Sequence, residues 1–88
     1  MKLEDLRNEI DKIDSQIVNL LKQRFDCSLE IANYKKENAL PVLNSEREKE
    51  ILEKVKKTGE EHGESIAAVY EAIMSLSKKA QEKAINGK

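Results

Sequence analysis

Before Pro41 the chain runs without a glycine or a proline, so nothing in that stretch breaks a helix. Its apolar residues advance by alternating threes and fours: Leu3, Leu6, Ile10, Ile13, Ile17 and Leu20, then Cys27, Ile31 and Tyr34. That period is helical, and its heptad form is that of a coiled-coil-like seam. The spacing predicts one helix over roughly residues 4–37, about 50 Å long.

The remainder is divided by few breakers. Glu37 to Leu43 reads as a loop, with Pro41 ending the helix by removing a donor and restraining the residue before it. A second helix is expected from Asn44 or Ser45, carrying Ile51, Leu52 and Val55, and stopping near Gly59 as its C-terminal cap. A third is expected from near Ser65 to about Ile85, with Ile66, Val69, Tyr70, Ile73, Met74 and Leu76 facing inward. His62 and the acidic Glu60 and Glu61 read as a solvated loop. The expected fold class is all-α, with three helices per chain, one long and two shorter, in a single domain over residues 1–88.

Eighty-eight residues with one Phe and no Trp make a small core, and 38% of them are charged. This is the balance of helices with a narrow buried stripe and a wet outer face. Two short helices cannot cover a seam of about 50 Å, and the uncovered part would face water. Pairing with a second copy would bury it, so a homodimer is expected.

Several function classes are set aside. A lone cysteine, Cys27, permits no intramolecular disulfide framework, and with a single His62 it builds no metal cluster. No run of residues has the length and apolarity of a membrane span, and the N-terminus lacks a signal-peptide stretch. A protein of the cytoplasm, with no membrane partner, is expected. Net charge is −1, so nucleic acid is not the expected partner, and any anion site must come from a local cluster of basic groups. Neither a glycine-rich phosphate loop nor a nucleophile–base pattern is present.

Polar residues occupy places where apolar ones belong. The seam position after Leu20 is Arg24, which requires an anionic partner, a structural ion pair or an escape to solvent. Lys35 lies eleven residues on, about three turns and about 16 Å along nearly the same face. Two such side chains converging would grip one small dianion, although Lys35 alone is also explained by the dipole at a helix C-terminus. On the third helix the inward stripe continues to Ser77 and Gln81, one turn apart. Ser77 bonding a carbonyl one turn back and Gln81 at a wet helix end is one reading; a shared polar cavity, which also accounts for Arg24, is the other. The chain has three arginines, Arg7, Arg24 and Arg47, against thirteen lysines. Lysine serves for general solubility, and arginine's planar fork suits carboxylates. Ser45-Glu46-Arg47-Glu48 matches a capping box, which would occupy Glu48 with structure.

Taken in order, these segments resemble the all-helical chorismate mutases. Leu6-Arg7-Asn8-Glu9-Ile10-Asp11-Lys12-Ile13-Asp14 is similar to the family's opening signature, Leu20-Leu21-Lys22-Gln23-Arg24 to its next block, and Ile31-Ala32-Asn33-Tyr34-Lys35 to the one after. Pro41-Val42 with Glu46-Arg47-Glu48, then Ile73-Met74-Ser75-Leu76-Ser77 with Gln81, complete a resemblance over essentially the whole chain. It implies two intertwined chains with two sites, each drawing residues from both. Arg24 and the other subunit's Arg7 would hold substrate carboxylates, Lys35 a carboxylate and the ether oxygen, and Gln81 the ether oxygen from another side. Glu48 would accept the ring hydroxyl, the Asn44 backbone would donate to it, Ser77 would contact the ring carboxylate, and Arg47 would support the site. The spacing of Arg7 and Arg24, seventeen residues or about 25 Å along one helix, independently favours their serving one ligand from different chains.

Two features depart from the family pattern. Asn44 stands where some members carry Asp, and the loop around Glu61 to Ser65 is short, which puts the register of Ser77 and Gln81 in question. The reaction implied is the rearrangement of chorismate to prephenate, toward phenylalanine and tyrosine, with no cofactor or metal. An isochorismate pyruvate lyase of the same fold and a non-catalytic helical regulatory or docking dimer are the alternatives. Glu46-Arg47-Glu48 favours the mutase over the lyase.

Overall fold

A computed structural model describes residues 2–87. Helix α1 spans Leu3–Glu37, α2 spans Ser45–Thr58 and α3 spans Gly63–Asn86, with a single 3-10 turn, Glu60–His62, between α2 and α3. There is no strand among the described residues. The molecule measures 54 × 25 × 16 Å, and α1, at about 1.5 Å per residue, accounts for the long axis. No helix among the described residues is long and apolar enough to cross a membrane.

The end of α1 differs from the expected one in its cause. Ala39, with φ of 52°, takes the left-handed position of a Schellman turn. Leu40 N–H donates to the Lys35 carbonyl at 2.8 Å and Ala39 N–H to that of Lys36 at 3.4 Å. These bonds satisfy the last carbonyls of the helix, so the chain has already turned two residues before Pro41. The N-terminus of α2 also differs. Asn44 is the N-cap, its Oδ1 accepting from Arg47 N–H at 3.0 Å, and Ser45 is already helical. Glu48 therefore belongs to no capping box with Ser45.

The α2–α3 connection is tighter than the expected solvated loop. Gly59 has an ordinary right-handed φ of −75°, and the left-handed residue is Glu60, at 54°. Glycine is needed at 59 and 63 for proximity. A Cβ on Gly59 would lie 2.9 Å from the Gly63 Cα, and one on Gly63 would lie 2.2 Å from the Lys56 carbonyl oxygen. This close approach starts α3 at Gly63, two residues before Ser65, and packs it antiparallel against α2.

Helix α3 is the common neighbour, packed on α1 along one side and on α2 along the other. Its buried stripe is Gly63, Ala67, Met74, Ser77 and Gln81, met by Ser28 and Ala32 of α1. Ile66, Tyr70 and Ile73 are half-buried, whereas Val69 and Leu76, expected to face inward, point away and are exposed. Small side chains in the stripe let the helices approach closely. The seam of α1 stays open in the single chain: Leu3, Leu6, Ile10, Ile13, Ile17 and Leu20 are 46–61% exposed.

Candidate active site

Two bonds of the same sequence separation tie α1 to α3. Arg24 Nη1 donates to Ser77 Oγ at 3.2 Å, and Gln81 Nε2 donates to Ser28 Oγ at 2.8 Å. Each helix advances four residues from one rung to the next, so α1 and α3 run parallel here with their polar residues in step. Both serines stand inside helices, where a hydroxyl commonly bonds the carbonyl one turn back. Ser15 and Thr58 do that in this chain, but Ser28 and Ser77 bond across the interface instead.

The rungs floor a cavity of about 350 Å³ bounded by all three helices and the α1–α2 loop. Every candidate site residue except Arg7 lines it: Arg24, Lys35, Asn44, Arg47, Glu48, Ser77 and Gln81. Ile31, Ile51 and Met74 add apolar wall. The short α2–α3 connection thus leaves Ser77 and Gln81 in register with Arg24 and Lys35. Both are 7% exposed, so Gln81 lies at no wet helix end.

The cationic groups are held from behind by neutral ones. The Arg24 guanidinium carbon stands 5.7 Å from the centre of the Tyr70 ring, where the ring's quadrupole favours a cation. Lys35 Nζ donates to the Val42 carbonyl at 2.7 Å and to Gln81 Oε1 at 3.4 Å. Neither Arg24 nor Lys35 meets a carboxylate within 4 Å among the described residues. Two unneutralised cations beside a half-buried cavity make it a receptor for anions. Arg47, at the rim, pairs with Glu50. Glu48 turns into the cavity and pairs with Lys78 at 3.0 Å, which makes it the acceptor among cations.

Ser28 and Lys78 also line the cavity, and neither stands out in the sequence. Ser28 follows Arg24 by four residues and precedes Lys35 by seven, so its helical phase with them was the available signal. Lys78 had no such signal, because a lysine beside Ser77 on a charged helix reads as surface. Arg7 is the opposite case. It lies on the exposed N-terminal half of α1, 3.6 Å from Glu4, and the single chain does not bring it to the cavity.

Three helices enclosing a small cavity with paired cations, neutral donors and one carboxylate define an all-helical enzyme for a small polyanionic substrate. The family model of chorismate mutase type II matches residues 6–82, and the chain belongs to that family. It is 32% identical to a chorismate mutase of Methanocaldococcus jannaschii, over 93% of this chain and 85% of the relative. It is 34% identical to a bifunctional chorismate mutase/prephenate dehydratase of Aquifex aeolicus, over 93% of this chain but only 24% of that protein. Among solved structures, a conserved hypothetical protein from Pyrococcus furiosus is 40% identical, with a TM-score of 0.70, covering 90% of this chain and 93% of that one.

Proposed function

We propose that the chain catalyses the rearrangement of chorismate to prephenate as an intertwined cytoplasmic homodimer with two sites, each completed by Arg7 of the partner subunit. The observation that carries the reading is the juxtaposition of Arg24, Lys35, Glu48, Ser77 and Gln81 around one cavity of about 350 Å³. Chorismate carries two carboxylates, an ether oxygen and a ring hydroxyl, and the site holds a complement for each. Arg24 and the partner's Arg7 take the carboxylates, with Ser77 and Arg47 in support. Lys35 and Gln81 flank the ether oxygen, while Glu48 and the Asn44 backbone take the hydroxyl.

The reaction is an isomerisation. One C–O bond breaks as one C–C bond forms, and no atom is gained or lost. The clamp of cations holds the flexible side chain over the ring in its reactive shape, removing an entropic barrier. Negative charge grows on the ether oxygen as the C–O bond lengthens, and donors from Lys35 and Gln81 strengthen with it. Contacts that strengthen in this way raise the rate rather than merely the affinity. The open seam of α1 supports the dimer, because it leaves a row of large apolar side chains with no cover from α2 or α3.

Purified protein mixed with chorismate, and separately with isochorismate, is the test, following substrate loss and identifying the product. Prephenate formed without added cofactor is the expected result. Pyruvate released from isochorismate, with chorismate untouched, would assign the chain to the lyase chemistry. No turnover of either by a folded dimer would assign it to a non-catalytic role.

A further inference from the structure

We propose that Ser28 is a positioning residue for the reaction: it holds the Gln81 amide so that one N–H faces the breaking ether bond. The proposal rests on the reading of Gln81 given above. A glutamine amide is a two-ended group with a donor and an acceptor edge, and its last torsion is broad and roughly two-fold. Only the donor edge stabilises a developing oxyanion; the carbonyl edge repels it. A Gln81 free to turn would present the wrong edge part of the time.

Two contacts remove that freedom. Lys35 Nζ, a donor only, stands 3.4 Å from Gln81 Oε1, so the flipped amide would set donor against donor. Ser28 Oγ then accepts one of the two Nε2 hydrogens at 2.8 Å. The amide is planar, so fixing its oxygen and one hydrogen also fixes the direction of the second hydrogen. Ser28 is 5% exposed and Gln81 7%, so water does not readily substitute for the hydroxyl.

The chain has chosen a costly residue for this place. Serine inside a helix is a weaker helix former than alanine, and the neighbouring position on the same buried face, Ala32, is fully buried alanine. Alanine at 28 would still pack against α3, but it would leave the buried Gln81 Nε2 hydrogen without an acceptor. The hydroxyl is explained by what it does to Gln81.

A double-mutant cycle on the dimeric enzyme tests this, using Ser28→Ala, Gln81→Ala and the double variant, with kcat, KM and thermal midpoint read for each. A neutral hydrogen bond contributes about 0.5–1.5 kcal/mol, which converts to about a two- to tenfold fall in kcat for Ser28→Ala. KM should stay near that of the parent, while the thermal midpoint falls by a few degrees, because the Gln81 Nε2 hydrogen is left buried without its acceptor. On the Gln81→Ala background the same change should add almost nothing to the loss. An unchanged kcat in Ser28→Ala, or an equal further loss in the absence of Gln81, overturns the proposal. A slow Gln81→Ala beside an unaffected Ser28→Ala removes Ser28 alone, whereas a Gln81→Ala of full activity removes the Gln81 reading and the proposal with it.

Discussion

Gln81 carries the most chemistry per atom in the cavity, because its two edges face opposite demands. Its oxygen accepts from Lys35 and its nitrogen donates to Ser28. Gln81→Glu keeps the shape and exchanges the donor edge for one that exists only while the carboxyl is protonated. Ionised, the group repels the developing charge and neutralises Lys35. The variant should therefore be slow at neutral pH, by roughly a hundredfold as for the loss of an oxyanion donor, and should recover as the solution is acidified. Gln81→Ala should be slow throughout. Rate–pH profiles of both beside the parent decide the matter, and a Gln81→Glu profile that follows the parent's places Gln81 away from the ether oxygen.

The α2–α3 hairpin is what brings Glu48 and Lys78 to 3.0 Å, and it depends on two glycines admitting backbone to backbone. Gly63→Ala isolates this dependence. Alanine is the better helix former by about 1 kcal/mol, so propensity alone predicts a more stable protein. The added Cβ would meet the Lys56 carbonyl oxygen at 2.2 Å, and overpacking of this kind costs about 1–3 kcal/mol. The clash involves backbone, which cannot swing aside, so the net effect should be a loss. The thermal midpoint should fall by several degrees, and a midpoint equal to or above the parent's would contradict the close approach. Helix α1 shows the same precedence of geometry over propensity, with Ala39 placed left-handed at φ of 52° where glycine is the commoner residue.

At the scale of the whole molecule, the cavity and the open seam lie at different ends of one problem. Arg24 faces the cavity from the half of α1 covered by α3. Arg7, about 25 Å away along the same helix, belongs to the half that α2 and α3 leave bare. A second copy laid along the seam would bury that row and carry its Arg7 toward the first copy's cavity. Arg7→Ala and Arg24→Ala should each lose nearly all activity when alone. Mixed under conditions that exchange subunits, the two should regain part of it, because one site of the mixed dimer keeps both arginines. The activity of the exchanged mixture is the measurement. Proven exchange without recovery would contradict the shared site.

Helix number, helix period and the anomalous polar positions were legible in the linear sequence, since each is a local property of spacing. Arg24, Ser77 and Gln81 stand out because a charged or polar residue interrupts an apolar repeat. Lys35 joins them by phase, eleven residues from Arg24. The family followed from the order of such blocks. What the sequence did not yield was the set of pairings across helices. Ser28 as an acceptor for Gln81, Lys78 as the partner of Glu48, and Asn44 in place of Ser45 as the N-cap each depend on which atoms meet once α3 lies in register on α1 and α2. Val69 and Leu76 were misplaced for the same reason, because periodicity marks an apolar face but not which neighbour covers it. A helical repeat is written every three or four residues along one chain; a hydrogen bond between residues fifty-three apart is fixed only when packing sets the distance.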